Sequence, residues 1–236
     1  MEFKIKFHFY RYFVLIIVIL FLLNGVVENI VITHKINSFK SSAVLVKEDM
    51  ENGIKFYVVS RETSNPSLNM IDDSYYVGSK GDIIVKRGSP YPEIPVFHQL
   101  MTFFIGGHAS YVVDSKTLIE VNGKDLSNNK VDYYNNEWFS KKECIGLRLK
   151  NQKIVDEVTE NMKTKIGSKY NYTFILDNGY YCTDLMSKSV TEVSKFDNIN
   201  DTLFTTTNDI ITSRNTEICY YHYTDNEGIK HVYYVN

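Results

Sequence analysis

Lys4, Lys6 and Arg11 stand ahead of an unbroken apolar run, Tyr12 to Leu23, and few soluble folds can hide such a segment. Its length suits the hydrophobic stretch of a secretory signal. Counting Phe9, Tyr10, Val26 and Val27 extends it toward the roughly 20 residues that cross a bilayer. A cleaved signal ends in small residues at alternate positions, and Leu23-Asn24-Gly25-Val26-Val27 offers only Gly25. The pattern therefore favours an uncleaved anchor, with a cleaved signal peptide as the alternative. Basic residues beside a first span stay cytoplasmic, so the remaining chain is expected outside the cytoplasm, or secreted if the signal is removed. The run has no polar face, which argues against a core helix.

With residues 1–33 read as the anchor or signal, enough of the 236-residue chain remains for one compact domain. Lys and Arg total 26 against 28 Asp and Glu, a formal net charge of −2, so no overall basic surface is available for nucleic acid, and none is expected as a partner. Cys144, Cys182 and Cys219 are odd in number, which leaves at least one thiol unpaired in an exported chain and excludes a disulfide-framework domain. A Cys144–Cys219 disulfide, leaving Cys182 as the sole thiol, remains an option. The cysteine spacings fit no zinc ribbon or finger, and the pair Cys219 and His222 is better read as strand alternation, so no metal or other cofactor is expected.

Residues 34–74 read as a linker, polar and aperiodic to about Met50 apart from Val44-Leu45-Val46 and suited to a tether or short leading helix, followed by a leading strand at Gly53–Ser60 and a loop at Arg61–Asp73. The domain is expected over 75–236. Gly81–Gly88 is a short β-branched run, Ser89–Pro95 a proline-rich rigid connection, and Val96–Ile105 a short helix ended by Gly106-Gly107. His108–Val113 and Thr117–Val121, joined by Asp114-Ser115-Lys116, predict a hairpin. Cys144–Leu149 reads as a strand, Ile154–Ile166 and Cys182–Val193 as amphipathic helices, and Glu217–Tyr223 and Lys230–Val235 as closing strands. That order predicts an α+β fold with an antiparallel sheet packed on helices.

Three residues of this layout could carry chemistry. His108 opens a strand after two glycines. Glu120 is an acid inside the apolar run of the partner strand, where it needs a partner of its own. If the register puts the two on one face, Glu120 can hold the imidazole tautomer; otherwise it is a surface acid on a one-sided sheet. Cys182 starts a helix, where unpaired backbone N–H groups favour thiolate and could stabilise an oxyanion, although a cysteine there is also a common packing residue.

The ordered set Gly81-Asp82-Ile83-Ile84, Gly107-His108-Ala109-Ser110-Tyr111, Leu118-Ile119-Glu120-Val121, Gly167-Ser168-Lys169-Tyr170 and Tyr181-Cys182-Thr183-Asp184 resembles the permuted papain-like amidases of the YiiX type, within the NlpC superfamily of cysteine hydrolases. In that branch the histidine strand precedes the cysteine helix, as it does over residues 75–225 here. The resemblance implies a permuted papain-like fold in which Cys182 is nucleophile, His108 its base and Glu120 the orienting acid. It also assigns Tyr170, with Tyr181, to substrate or oxyanion binding. Thr183 departs from the more usual serine but keeps a hydroxyl, and the stretch Asn122–Asn136 has no counterpart and is expected to be a variable loop. The implied activity is cleavage of an amide bond in a cell-envelope peptide, a peptidoglycan stem peptide or an acyl-amide. The alternatives are an acyltransferase using the same dyad and a non-catalytic envelope-binding module.

The other candidates have plainer readings. His98 lacks ligand partners, Asp82 suits a turn or strand start, and Asp184 suits the first turn of a helix. The paired tyrosines at 75–76, 133–134, 180–181, 220–221 and 233–234 fit strand propensity in a Tyr-rich chain.

Overall fold

The computed structural model describes residues 2–61, 65–88, 95–104, 107–123, 129–173, 178–200 and 204–236, excepting the side chains of 2–11, 21, 95, 97, 98 and 101. The apolar N-terminal run forms helix α1 (Glu2–Ser41), whose residues from Tyr12 to Leu20 lie open to the surroundings. Among the described residues one helix, this one, is long and apolar enough to cross a membrane or to serve as a signal sequence. Its C-terminal half behaves differently. Ile32 and Phe39 are buried, and the Lys35 ammonium donates to the carbonyls of Ile211, Thr212 and Ser213 at 2.8–3.0 Å.

Residues 34–50 are therefore not a linker. The helix continues through Ser41 and leads into β1 (Ala43–Asp49), which pairs antiparallel with β2 (Ile54–Val59). β2 in turn pairs in parallel with the late strand β11 (Lys230–Val235), so the folded unit begins well before Tyr75. The short apolar run Val44-Leu45-Val46 gave no alternating signal because β1 is an edge strand whose side chains, these included, are mostly exposed, and such a strand needs no buried stripe.

The expected loop at 61–73 contains β3 (Leu68–Ile71), which forms a separate hairpin with β4 (Ser74–Val77). Its turn, Asp72-Asp73, has φ of 51° and 59°, the left-handed geometry of a two-residue turn usually signalled by glycine. β5 (Ile83–Arg87), α2 (Pro95–Phe104), the hairpin β6 (Gly107–Val112) and β7 (Thr117–Val121), and β9 (Glu143–Leu149) follow the sequence closely. The expected variable loop holds one more strand, β8 (Val131–Asn135). Helices α3 (Val155–Lys163), α4 (Cys182–Val193) and α5 (Thr207–Thr212) and strand β10 (Thr216–Thr224) complete the α-helices and strands among the described residues. The connection at 89–94 lies outside the described residues.

Among the described residues the main sheet has nine strands in the order β1-β2-β11-β10-β9-β5-β6-β7-β8, antiparallel except for β2 with β11. This is the expected α+β class. β5 sits inside the sheet with Ile83, Ile84 and Val85 all fully buried, which explains a run apolar on both faces. α3 and α4 pack together, α4 crosses β6, and the Tyr111 hydroxyl bonds Thr159 on α3 at 2.8 Å. α5 starts with a reciprocal cap, Thr206 Oγ1 accepting from Asp209 N–H while Asp209 Oδ2 accepts from Thr206 N–H. All three cysteines are free, so the optional disulfide is not formed. Cys144 Sγ lies 3.4 Å from His222 Nδ1, whereas Cys219 neighbours Asp82 and Arg148.

Candidate active site

The β6–β7 hairpin sets the geometry. Tyr111 pairs with Ile119 and Val112 with Leu118, so Ser110 and Glu120 oppose each other on one face, and His108 lies two residues further along that face. Gly107 lets β6 begin close to β5, because a Cβ there would strike the carbonyl oxygens of Lys86 and Gly88. The Gly107 N–H donates to Thr207 Oγ1 at 3.0 Å, which ties the start of the histidine strand to α5.

His108 Nε2 lies 3.2 Å from Glu120 Oε2, within ion-pair distance though off the axis of a directed hydrogen bond. Glu120 is 9% exposed and also accepts a short hydrogen bond from Ser110 Oγ, which in turn accepts from Trp138 Nε1 at 3.2 Å. The indole of Trp138 lies nearly parallel to the imidazole, 8° between planes. A line of donors thus runs from Trp138 through Ser110 to the carboxylate, and the carboxylate faces the imidazole.

Cys182 is the first residue of α4 and is 8% exposed. Its sulfur hydrogen-bonds His108 and also receives the backbone N–H groups of Ala109 and Thr183. Because Nε2 is turned to Glu120, Nδ1 is the nitrogen left for the thiol. Burial alone would raise the Cys182 thiol, but the His108 contact and the two N–H donors outweigh it and bring it below the ordinary value. Burial likewise opposes charge on His108, yet the contacts with Cys182 and Glu120 overcome it and push the imidazole well up. Burial raises Glu120 while His108, Ser110 and Lys141 lower it, with a net shift downward. The three directions agree on one state, thiolate, imidazolium and carboxylate in a row.

The remaining expected site residues divide. Tyr170 is half-buried with its ring against Gly123. Its phenol is raised first by burial and then by the field of Cys182, which places it in the neighbourhood of the sulfur. Tyr181 is buried and its hydroxyl accepts from Thr205 N–H at 3.1 Å, a contact that anchors the loop before α5. Thr183 likewise uses its hydroxyl on Thr205 O at 2.6 Å. Asp184 faces Lys188 at 3.2 Å, and Asp82 is bound bidentately by Arg148 at 2.8 and 2.7 Å, the structural roles expected of both. The His98 side chain lies outside the described residues. Among the described residues no group of His, Cys, Asp and Glu could hold a metal ion.

Sequence reasoning missed Ser110 and Trp138. Alternation along β6 already put Ser110 on the face of His108, and the signal for Trp138 was that it is the chain's one tryptophan. A cleft of about 330 Å³ opens beside the row, with walls that include Lys86, His108, Glu120, Tyr134, Trp138 and Lys141. It reaches the imidazole and carboxylate, and the sulfur is not among its walls. No protein-family model matches the chain, and no curated protein or solved structure matches it either.

Proposed function

We propose that the chain is a membrane-anchored cysteine hydrolase of amide bonds, working outside the cytoplasm, with a permuted papain-like arrangement of its site. The observation that carries this reading is the row of Cys182, His108 and Glu120, with the sulfur at the head of α4 bonded to an imidazole whose other nitrogen faces a buried carboxylate. In the proposed reaction the thiolate attacks the carbonyl carbon, and the orphan N–H groups of the first turn of α4 face the oxyanion. His108 then gives its proton to the departing amine nitrogen as the C–N bond breaks, leaving a thioester. Water attacks the thioester while neutral His108 takes its proton, and the acid and the thiolate are released. Cell-envelope peptides, peptidoglycan stem peptides and acyl-amides all present the required carbonyl.

An activated acyl ester tests the chemistry directly. The full-length protein should show a burst of leaving group and a matching acyl mass on Cys182, absent in Cys182→Ala. If the ester is turned over without any adduct on Cys182, the reading fails. Running the same reaction with an added amine or lipid alcohol separates hydrolysis from acyl transfer by its products.

A further inference from the structure

Helix α2 sits where α1 leaves its apolar run. Gly25 is the contact point, since a Cβ there would lie 2.7 Å from the rings of both Phe103 and Phe104. One turn further on, Asn29 Nδ2 donates to Phe103 O at 2.9 Å, and Arg87 makes a short hydrogen bond to Asn29 Oδ1 while reaching Thr102 O at 3.2 Å. The C-terminal end of α2 is thus pinned to the α1 segment between its exposed apolar face and its buried half. α2 itself, PVFHQLMTFF, contains no Asp, Glu, Lys or Arg. Val96 and Leu100, four residues apart and so on one face, are 70% and 53% exposed.

Exposed apolar residues on a chargeless helix suit lipid better than water, and α2 meets α1 at Gly25, beside Leu23, Val26 and Val27, which are themselves exposed. We propose that α2 is a second membrane contact, lying in the plane of the lipid–water boundary with Val96 and Leu100 in the acyl region. The inference rests on reading α1 as an inserted anchor. Helices lying in the interface bury their apolar face about 5–10 Å deep. Two contacts fix orientation where one would leave the domain free to swing. Arg87, which joins α1 and α2, directly follows Lys86 in the cleft wall, so the same junction holds the cleft at a set height above the lipid.

Tryptophan substitutions in the full-length protein, reconstituted in phosphatidylcholine vesicles with or without brominated acyl chains, test this. Native Trp138 is buried and supplies a constant background. Leu20→Trp reports on insertion of α1 and Leu100→Trp on α2, with Val96→Trp as a second probe of the same face should Leu100→Trp fail to fold. Val44→Trp is the control, since Val44 is as exposed as Leu100 but follows α1 about 24 Å beyond Gly25 along the helix. Leu20→Trp and Leu100→Trp should both lose emission in brominated vesicles, and Val44→Trp should behave like the unsubstituted protein. Quenching at Leu20→Trp with none at Leu100→Trp or Val96→Trp overturns the second contact alone. No quenching at Leu20→Trp overturns the anchor and takes this inference with it, without touching the chemistry assigned to Cys182.

Discussion

Replacing His108 by alanine removes the cation bonded to the Cys182 sulfur, and the size of the effect follows from the site. At an effective dielectric of about 20, unit charges about 4 Å apart attract by about 4 kcal/mol, which is about 3 pH units at 1.36 kcal/mol each. Burial then acts on the thiol opposed by the Ala109 and Thr183 N–H groups. The acid limb of alkylation should accordingly move up by about 2–3 units. The assay is the rate of iodoacetamide capture from about pH 5 to about pH 10, since only thiolate reacts. Cys144 and Cys219 contribute little, being at most 1% exposed with thiols pushed well up by burial. In the unsubstituted protein the reactive form should persist from below the ordinary thiol range up to alkaline pH, because His108 holds its proton. Identical limbs in His108→Ala and the unsubstituted protein would refute the ion pair and the nucleophile with it.

Ser110→Ala and Trp138→Phe each cut the donor line to Glu120, and both should slow acylation of Cys182 in the burst assay while leaving one reactive thiol per chain. Unchanged acylation would mean that the carboxylate is held without them. Asp82→Asn is a stability test: the carboxylate and the Arg148 guanidinium are both buried and bound bidentately, so removing one partner strands a buried guanidinium. That should cost about 3–5 kcal/mol in urea unfolding, and a loss under about 1 kcal/mol would show that Arg148 finds water. His222 is fully buried, and desolvation, helped by Lys230, lowers it to about 4 from 6.5. A depressed folded value means stability that is whole above pH 6.5 and lost as pH falls toward about 4, roughly 3 kcal/mol in all. His222→Gln should flatten that acid slope in chemical melts, and an unchanged slope would place the acid sensitivity elsewhere.

Legibility followed burial. α3 and α4 were legible to within three residues because each lays an apolar stripe of helical period against the core, and the β6–β7 hairpin because two apolar runs flank a short polar turn. β1 and β8 escaped because edge strands need no such stripe, and β3–β4 because its turn uses Asp72-Asp73 where glycine is the usual sign. The second half of α1 was mistaken for tether because its polar residues hide buried partners: Lys35 looks like a solvated lysine until the carbonyls at the end of α5 are seen around it. At the site, residue types and order singled out Cys182, His108 and Glu120, but their meeting depended on a register that only the folded hairpin fixes. Tyr181 was legible as a residue beside the cysteine and illegible as a loop anchor, since Thr205 is far away in sequence.

The parallel seam between β2 and β11 also orders events during synthesis. Lys230 lies beside Ile54 and Val235 beside Val59, so the early hairpin has no inner neighbour until the ribosome has made nearly everything in between. Helix–helix contacts near α4 can form while translation continues, whereas this closure must wait and pays a long loop entropy when it comes. A nascent chain stalled before residue 230 would therefore present an open, half-apolar sheet edge, and chaperones or proteases would meet the protein in that form first.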